Sequence, residues 1–318
     1  MHRTLAYGPP VISIDVEDWP QSTWSQDLPI TDRAAANTRR VLRLLGEAGV
    51  RATMFVLGKL AERFPYLVKE MQADGHEVAC HGYGHVEIAR LSPDQFLDDI
   101  RRAKDLLEQI TGEPVKGYRA PDFSIVRNTL WAFDALAEAG FEYDSSVVPV
   151  RLVRYGIPDW PIQPARVRLR NGRTILEAPL ATFRCLGKNW PVGGGGYHRL
   201  LPGCVTRALA RRTMEIAPFV FYCHPYEFDV RELAELPFRL PLKVRWHQGV
   251  GRRYFETRFN SFVREFGGQS MQDLLTSRSW PEIELHTFGL SSPSRQVSKI
   301  GAALPHEGLA APGAPAHE

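Results

Sequence analysis

Two histidines lie four residues apart in the segment CHGYGHVEIARL, where Gly-Tyr-Gly separates His81 from His85. A regular helix rarely contains such a sequence, so we expect a tight turn that holds the two imidazoles close together. Further polar groups occur in four short motifs: SIDVEDW with Asp15, Glu17 and Asp18, GYRAP with Arg119, YDSS with Asp144, and FYCHP with His224. Carboxylates, imidazoles and guanidinium groups are the side chains that move protons and stabilise charge in active sites.

Short apolar runs alternate with amphipathic stretches over the first 150 residues, which predicts a parallel sheet or an α/β barrel. The predicted strands are VISIDV, ATMFVLG, HEVAC, GYRA and FEYDSS, with FVFYCH later in the chain. Ser92, Pro93 and Gln95 form a capping sequence that predicts the start of a helix.

Each polar motif lies where a predicted strand ends. Catalytic residues of barrels and open α/β sheets gather at that edge, because the loops there converge on one opening. Taken singly, the same residues also fit helix caps, a structural ion pair or a buried core histidine. Their common edge favours one functional site over four unrelated structural roles.

The motif order resembles that of the NodB-homology polysaccharide deacetylases, which remove N-acetyl groups from amino sugars. The chain is most similar to the branch associated with exopolysaccharide and PEP-CTERM (exosortase) loci, on the basis of DVEDW, HGYGH, GYRAPDFSI, YDSS, PVGGGGYHRLLP and YCHPYEFD. The resemblance covers roughly residues 10–290 and implies a distorted (β/α) barrel of about seven strands.

The expected organisation is a single domain over residues 1–290, with a catalytic core at about 10–230 and a C-terminal extension at about 231–290. Residues 291–318 are rich in Ala, Pro, Gly and Ser, and this composition predicts a disordered tail.

The resemblance further implies a divalent metal, with Zn²⁺ favoured and Co²⁺, Mn²⁺ or Ni²⁺ as alternatives. His81 and His85 would be two of its ligands. The acidic ligand is either Glu17 or Asp18. Strand alternation places Glu17 on the same side as Asp15 and favours it, whereas a bend directly after Asp15 would favour Asp18.

The resemblance also implies the acid–base roles. Asp15 would act as general base towards water, Arg119 would hold Asp15 in place, and His224 would protonate the departing amine. The backbone N–H of Asp122 would stabilise the oxyanion. Asp144 is expected to orient His224.

Three residues are candidates for substrate contact: Tyr83, Tyr197 and Arg199. The last two follow four glycines, Gly193 to Gly196, for which we expect a flexible loop at the mouth of the groove. No Gly-Lys-Ser/Thr follows these glycines, so a phosphate-binding loop is not indicated. Cys80 and Cys223 each precede a functional histidine on a strand and are expected to point into the core.

The composition of the chain limits the kinds of molecule that it is expected to bind. A formal charge of +3, from 39 basic and 36 acidic residues, does not indicate nucleic-acid binding. The four cysteines form no C-x-x-C pair, and no run of 18 apolar residues predicts a transmembrane segment. The lack of such a segment predicts a cytoplasmic protein, and the resemblance implies that it acts on an N-acetylated polysaccharide or lipid-linked oligosaccharide, in association with exopolysaccharide synthesis machinery. Two alternatives are a hydrolase of small cyclic amides on the same barrel and a catalytically silent glycan-binding protein.

Overall fold

The computed structural model describes residues 6–152 and 154–289. The strands in these residues are β1 (Val11–Val16), β2 (Thr53–Val56), β3 (Glu77–Cys80), β4 (Gly117–Tyr118), β5 (Tyr143–Asp144), β6 (Ala165–Arg168), β7 (Thr174–Glu177), β8 (Thr182–Cys185), β9 (Lys188–Pro191), β10 (Val220–Cys223) and β11 (Glu282–Glu284). The α-helices are α1 (Asp32–Ala48), α2 (Gly58–Arg63), α3 (Pro65–Ala73), α4 (Pro93–Thr111), α5 (Ala132–Glu138), α6 (Gly195–Leu200), α7 (Gly203–Met214), α8 (Leu242–Gly249), α9 (Arg252–Phe266) and α10 (Met271–Thr276). The predicted tail, residues 291–318, lies outside the described residues.

Nine strands form one sheet in the order β10-β1-β2-β3-β4-β5-β7-β6-β11, and β8 and β9 form a separate hairpin. The strands from β10 to β7 in this order are all parallel to their neighbours. Backbone hydrogen bonds from Ala181 N to Val220 O (3.2 Å) and from Tyr222 N to Gly193 O (2.8 Å) tie the chain after β7 back to β10. The predicted α/β fold, a distorted (β/α) barrel of about seven strands, is confirmed: β10, β1 to β5 and β7 form the parallel part of the sheet, and β6 pairs with β7 in the antiparallel direction.

The barrel strands are buried because helices cover them. Every residue of β1 and β2 is buried, as expected for parallel strands with both faces covered. Helix α4 begins as predicted: the Ser92 side chain accepts a hydrogen bond from Gln95 N, and the Gln95 side chain accepts one from Ser92 N. Cys80 and Cys223 are fully buried in the core, as their strand positions predicted.

The glycine run is not a flexible loop, so this prediction is wrong. Gly195 and Gly196 begin helix α6, and the preceding glycines pack against β10. A Cβ atom at Gly193 would lie 2.3 Å from the carbonyl oxygen of Val220, and one at Gly194 would lie 2.9 Å from the Tyr222 ring. These glycines are needed because the chain approaches β10 too closely for any side chain.

Candidate active site

Three potential metal ligands meet beyond the C-terminal ends of β1 and β3. One ligand atom from each of Glu17, His81 and His85 lies within 4.8 Å of the other two, and all three residues are buried. Glu17 Oε2 is 2.7 Å from Nε2 of His85 and 3.4 Å from Nε2 of His81. This oxygen is buried, and both imidazole nitrogens lie within ion-pair distance of it. Two imidazole nitrogens and one carboxylate oxygen are a donor set that suits zinc and similar divalent ions.

The turn between the histidines depends on unusual backbone angles. Gly82 has a φ of 71° and His85 a φ of 60°, both in the left-handed region, whereas Gly84 is not left-handed. Asp99, from α4, fixes the turn because its side chain accepts a hydrogen bond from Tyr83 N at 2.8 Å. The strained backbone of His85 is therefore held by its surroundings, which is common at functional sites.

His81 is fixed by its other ring nitrogen. Nδ1 of His81 lies 2.9 Å from the carbonyl oxygen of Arg119, so Nδ1 carries the proton and Nε2 presents a lone pair to the site. Such a contact sets the tautomer that a metal ligand requires. Carbonyl contacts of this type support metal-binding histidines in many proteins.

The electrostatics of the site favour a cation. Burial alone would raise the pKa of Glu17, but attraction to His85 holds that pKa well below its ordinary value. Burial alone would lower the pKa of His85, whereas the Glu17 carboxylate raises it to about 9. The carboxylate thus stabilises positive charge beside it, and a metal ion would replace the proton on His85.

Asp18 faces away from the histidines. Its carboxylate accepts hydrogen bonds from Thr31 N at 2.6 Å and from Thr31 Oγ1 at 3.1 Å, just before α1. The two candidates for the acidic ligand are therefore separated in space. Glu17 joins the histidines, and Asp18 fixes the loop that leads into α1.

Asp15 and Arg119 form a buried ion pair beside the metal-ligand group. Arg119 Nη1 lies 2.7 Å from Asp15 Oδ1 and also donates to Ser13 Oγ at 2.8 Å. The other guanidinium nitrogens donate to the backbone and side-chain oxygens of Ser145, at 2.9 and 3.0 Å. With four hydrogen bonds and full burial, Arg119 holds the Asp15 carboxylate in one orientation.

His224 is oriented by Glu227, not by Asp144 as the sequence analysis expected. Nδ1 of His224 lies 3.0 Å from Glu227 Oε1, while Nε2 is 4.0 Å from Asp15 Oδ2. Burial would lower the pKa of His224, but the contact with Glu227 raises it above its ordinary value. Arg199 in turn forms an ion pair with Glu227, with Nε 2.7 Å from Oε2.

Asp144 instead supports the Arg119 segment. Its carboxylate accepts hydrogen bonds from Ser146 Oγ (2.6 Å) and Ser146 N (3.0 Å), and Ser146 Oγ accepts one from Ala120 N at 2.7 Å. Burial and the neighbouring Asp144 raise the pKa of Glu177 well above its ordinary value. The recorded hydrogen bonds of the Asp144 side chain thus lie in this buried network, whereas the ring of His224 is bonded to Glu227.

The pocket beside these residues has a volume of about 250 Å³. Asp122 lines it with a left-handed φ of 54°. The Asp122 side chain lies 2.9 Å from Arg154. Aromatic and basic residues that the sequence analysis did not select also line the pocket: Phe123, Arg154, Tyr155, Tyr222 and Tyr226.

The three predicted substrate contacts are placed differently by the structure. The Tyr83 hydroxyl bonds to Glu62 and Arg102 on the outer surface, away from the pocket, because the turn directs this side chain towards α2 and α4. Tyr197 is half-buried and is not among the pocket residues. Arg199 does line the pocket, but its guanidinium is paired with Glu227.

Replacing Glu227 by Gln is expected to lower the kcat of the reaction catalysed at this site by about 10- to 100-fold. A neutral amide orients the His224 imidazole, and stabilises its positive charge, less well than a carboxylate does. Metal content and KM should stay near the wild-type values, since Glu227 is outside the metal-ligand group. Steady-state kinetics and metal analysis would measure these quantities. A kcat within about twofold of wild type would show that Glu227 does not position His224.

Two family models match the chain in succession. Residues 9–143 match the polysaccharide deacetylase model. This segment of the chain contains Asp15, Glu17, His81, His85 and Arg119. Residues 145–276 match a model described as a domain of unknown function (DUF3473). This second segment contains His224 and Glu227. The candidate site is therefore assembled from both matched segments.

Particular relatives agree with the first of these matches. A peptidoglycan-N-acetylglucosamine deacetylase of Bacillus cereus is 34% identical over 96 residues, which are 30% of this chain and 35% of the relative. The chain spans about a third of the length of the curated relatives it matches first.

Solved structures show the fold. A Mycobacterium smegmatis protein classed as a polysaccharide deacetylase superimposes with a TM-score of 0.52 at 20% identity, covering 86% of this chain and 87% of the other. The PuuE allantoinase gives a TM-score of 0.53 at 15% identity, covering 86% and 95%. At these identities the similarity concerns the barrel architecture alone.

Proposed function

We propose that this protein is a metal-dependent hydrolase that removes N-acetyl groups from amino sugars of a polysaccharide or lipid-linked oligosaccharide. In chemical terms it would act on linear amide C–N bonds. The observation that carries the proposal is the arrangement in one pocket: the group of Glu17, His81 and His85 lies beside Asp15, which is paired with Arg119, and beside His224, which is paired with Glu227. Membership in the polysaccharide deacetylase family is part of this proposal, supported by the match over residues 9–143.

Each residue has a task in amide hydrolysis. Asp15, oriented by Arg119, accepts the proton of the attacking water. His224, held by Glu227, donates a proton to the departing sugar nitrogen. The backbone N–H of Asp122, in the wall of this pocket, stabilises the oxyanion of the acetyl group.

A divalent ion held by Glu17, His81 and His85 would supply a Lewis acid for this reaction. The donor set fits Zn²⁺ best, and Co²⁺, Mn²⁺ or Ni²⁺ could take the same ligands. The convergence of one carboxylate oxygen and two imidazole nitrogens within 4.8 Å supports this fit, because these are the donor types that such ions bind.

A substrate comparison tests the proposed reaction against the cyclic-amide alternative. Purified protein should release acetate from N-acetylated chitooligosaccharides and leave a cyclic ureide such as allantoin unchanged. Ring opening of the ureide without acetate release would replace the proposal with the alternative. Binding of the oligosaccharide without turnover of either compound would favour a silent glycan-binding protein.

The finer parts of the proposal rest on the sequence motifs. We infer a role in exopolysaccharide production from the motifs shared with that branch, and a cytoplasmic location remains a prediction that cell fractionation would test. Among residues 6–152 and 154–289, every helix is too short or too polar to traverse a lipid bilayer.

A single domain over 1–290 is also a proposal. It is supported by the one sheet that includes strands from both matched segments.

A further inference from the structure

Helix α8 and the residues just before it form an exposed surface, which we call the α8 surface (residues 237–249). None of the residues of α8 is buried, and its two largest apolar side chains are strongly exposed: Leu242 at 82% and Trp246 at 68%. These two residues are four positions apart, so they share one face of the helix. A leucine and a tryptophan exposed together on a short helix form an apolar patch that a monomer in water has no reason to maintain.

The α8 surface is also basic. Residues 236–255 contain no Asp or Glu, although they include Arg239, Lys243 and Arg245. These three cations form no ion pair with the described residues, whereas exposed arginines elsewhere, such as Arg39 and Arg168, are paired with glutamates. The charge of the α8 surface is thus left available to an external anion.

A groove of mixed character adjoins the helix. It has a volume of about 510 Å³ and is lined by Leu236, Phe238, Leu240 and Leu242, with Arg239 and Arg245 also among its lining residues. A groove that offers both apolar side chains and guanidinium groups is suited to a molecule that has an alkyl chain and an anionic head. The groove therefore extends the chemistry of the exposed helix face.

We propose that the α8 surface docks on a membrane that contains anionic lipids. Trp246 and Leu242 enter the interface between headgroups and acyl chains, while Arg239, Lys243 and Arg245 contact the anionic headgroups. A second copy of the chain is a poor occupant, because a symmetric contact would place these unpaired cations against one another. Binding of this type needs no membrane-spanning segment.

Docking would bring the catalytic pocket to the membrane. Gln248, near the end of α8, lines that pocket, and its carbonyl oxygen accepts a hydrogen bond from Arg199 at 2.8 Å. Its side chain lies 3.4 Å from the Trp19 indole nitrogen. A lipid-linked oligosaccharide would then reach the pocket from the same surface; this access rests on the proposed function, whereas membrane binding itself does not.

Co-sedimentation of the full chain with vesicles tests the proposal. Vesicles of phosphatidylcholine alone are compared with vesicles that also contain phosphatidylglycerol. The wild-type protein should bind the anionic vesicles, more weakly as salt is added. Leu242→Ser with Trp246→Ser should weaken binding by about tenfold or more, and Lys243→Gln or Arg245→Gln by about fivefold each.

Leu186→Ser is the matched control, since Leu186 is 96% exposed in the turn between β8 and β9 but lies outside the α8 surface. It should bind vesicles like the wild type. Failure of the wild type to bind anionic vesicles, or equal losses in the control and the Leu242/Trp246 variant, would overturn the proposal. The proposal would also be overturned if sedimentation velocity showed that the wild type is a dimer and that the Leu242/Trp246 variant loses dimerisation but keeps vesicle binding.

Acetate release from a water-soluble oligosaccharide is measured separately on the same variants. It should be unchanged in all of them, because none of the substituted residues lies in the catalytic pocket. Loss of vesicle binding with normal acetate release therefore concerns the α8 surface alone. Absence of acetate release from the wild type concerns the proposed function alone.

Discussion

Glu17→Gln is expected to strip the protein of bound divalent metal and to abolish hydrolysis. The substitution exchanges the one carboxylate of the ligand group for a neutral amide, and two buried imidazoles then remain to bind the ion. His81→Ala and His85→Ala should have the same effect. In each variant the loss should exceed the about 10- to 100-fold reduction that follows removal of a supporting hydrogen-bond partner.

Asp18→Asn is the matched control for Glu17→Gln. It changes a neighbouring acidic residue by the same chemistry, but Asp18 is bonded to Thr31 and does not face the histidines. Metal analysis after dialysis should find wild-type metal in Asp18→Asn and almost none in Glu17→Gln. The reverse result would make Asp18 the acidic ligand and place a bend of the chain directly after Asp15.

Asp15→Asn is expected to lower kcat by about 10²- to 10⁴-fold while the metal remains bound. An amide cannot accept the proton of water, yet it has nearly the shape of the carboxylate. Arg119 keeps its hydrogen bonds to Ser13 and Ser145 in this variant, so the guanidinium remains largely satisfied. Single-turnover kinetics, metal content and thermal unfolding should be measured together.

The three measurements separate catalysis from folding. The Asp15–Arg119 pair is buried, and loss of one partner of such a pair can cost about 3–5 kcal/mol of stability. Assays must therefore be made well below the melting temperature of the variant. Turnover close to that of the wild type, with metal bound, would remove Asp15 from the role of general base.

Much of the framework could be predicted from the sequence because it depends on local patterns. The apolar runs at VISIDV and HEVAC indicated buried strands, and the polar residues after them were expected at one edge of a sheet. Glu17 was favoured over Asp18 by strand alternation alone, and the structure places Glu17 beside the histidines. The pairing of β1 with β10, more than 200 residues later, had no local signal.

The errors concern side chains whose hydrogen-bond partners the strand pattern does not identify. Tyr83 lies between His81 and His85, but the turn directs it to Glu62 and Arg102 on other helices. Asp144 lies at the end of a strand, as the proposed catalytic residues do. Its carboxylate, however, accepts a hydrogen bond from Ser146. Strand position alone could not distinguish these cases.

Glu227 was missed although a signal for it was present. It is three residues after His224 in HPYE, a spacing that puts both side chains on one side of a helical turn. The need for glycine at position 195, in the glycine run, was missed for a related reason. A Cβ at Gly195 would lie 2.4 Å from Glu227 Oε1, so this glycine leaves room for the carboxylate that orients His224.

The most direct test of the metal-dependent mechanism is acetate release from an N-acetylated chitooligosaccharide by protein that has been freed of metal with a chelator. The metal-free protein should be inactive. Activity should return as Zn²⁺, Co²⁺, Mn²⁺ or Ni²⁺ is added and should level off near one ion per chain, with no recovery in Glu17→Gln. Full activity in the metal-free protein, or equal recovery in Glu17→Gln, would contradict the assignment of Glu17, His81 and His85 as the metal site of a deacetylase.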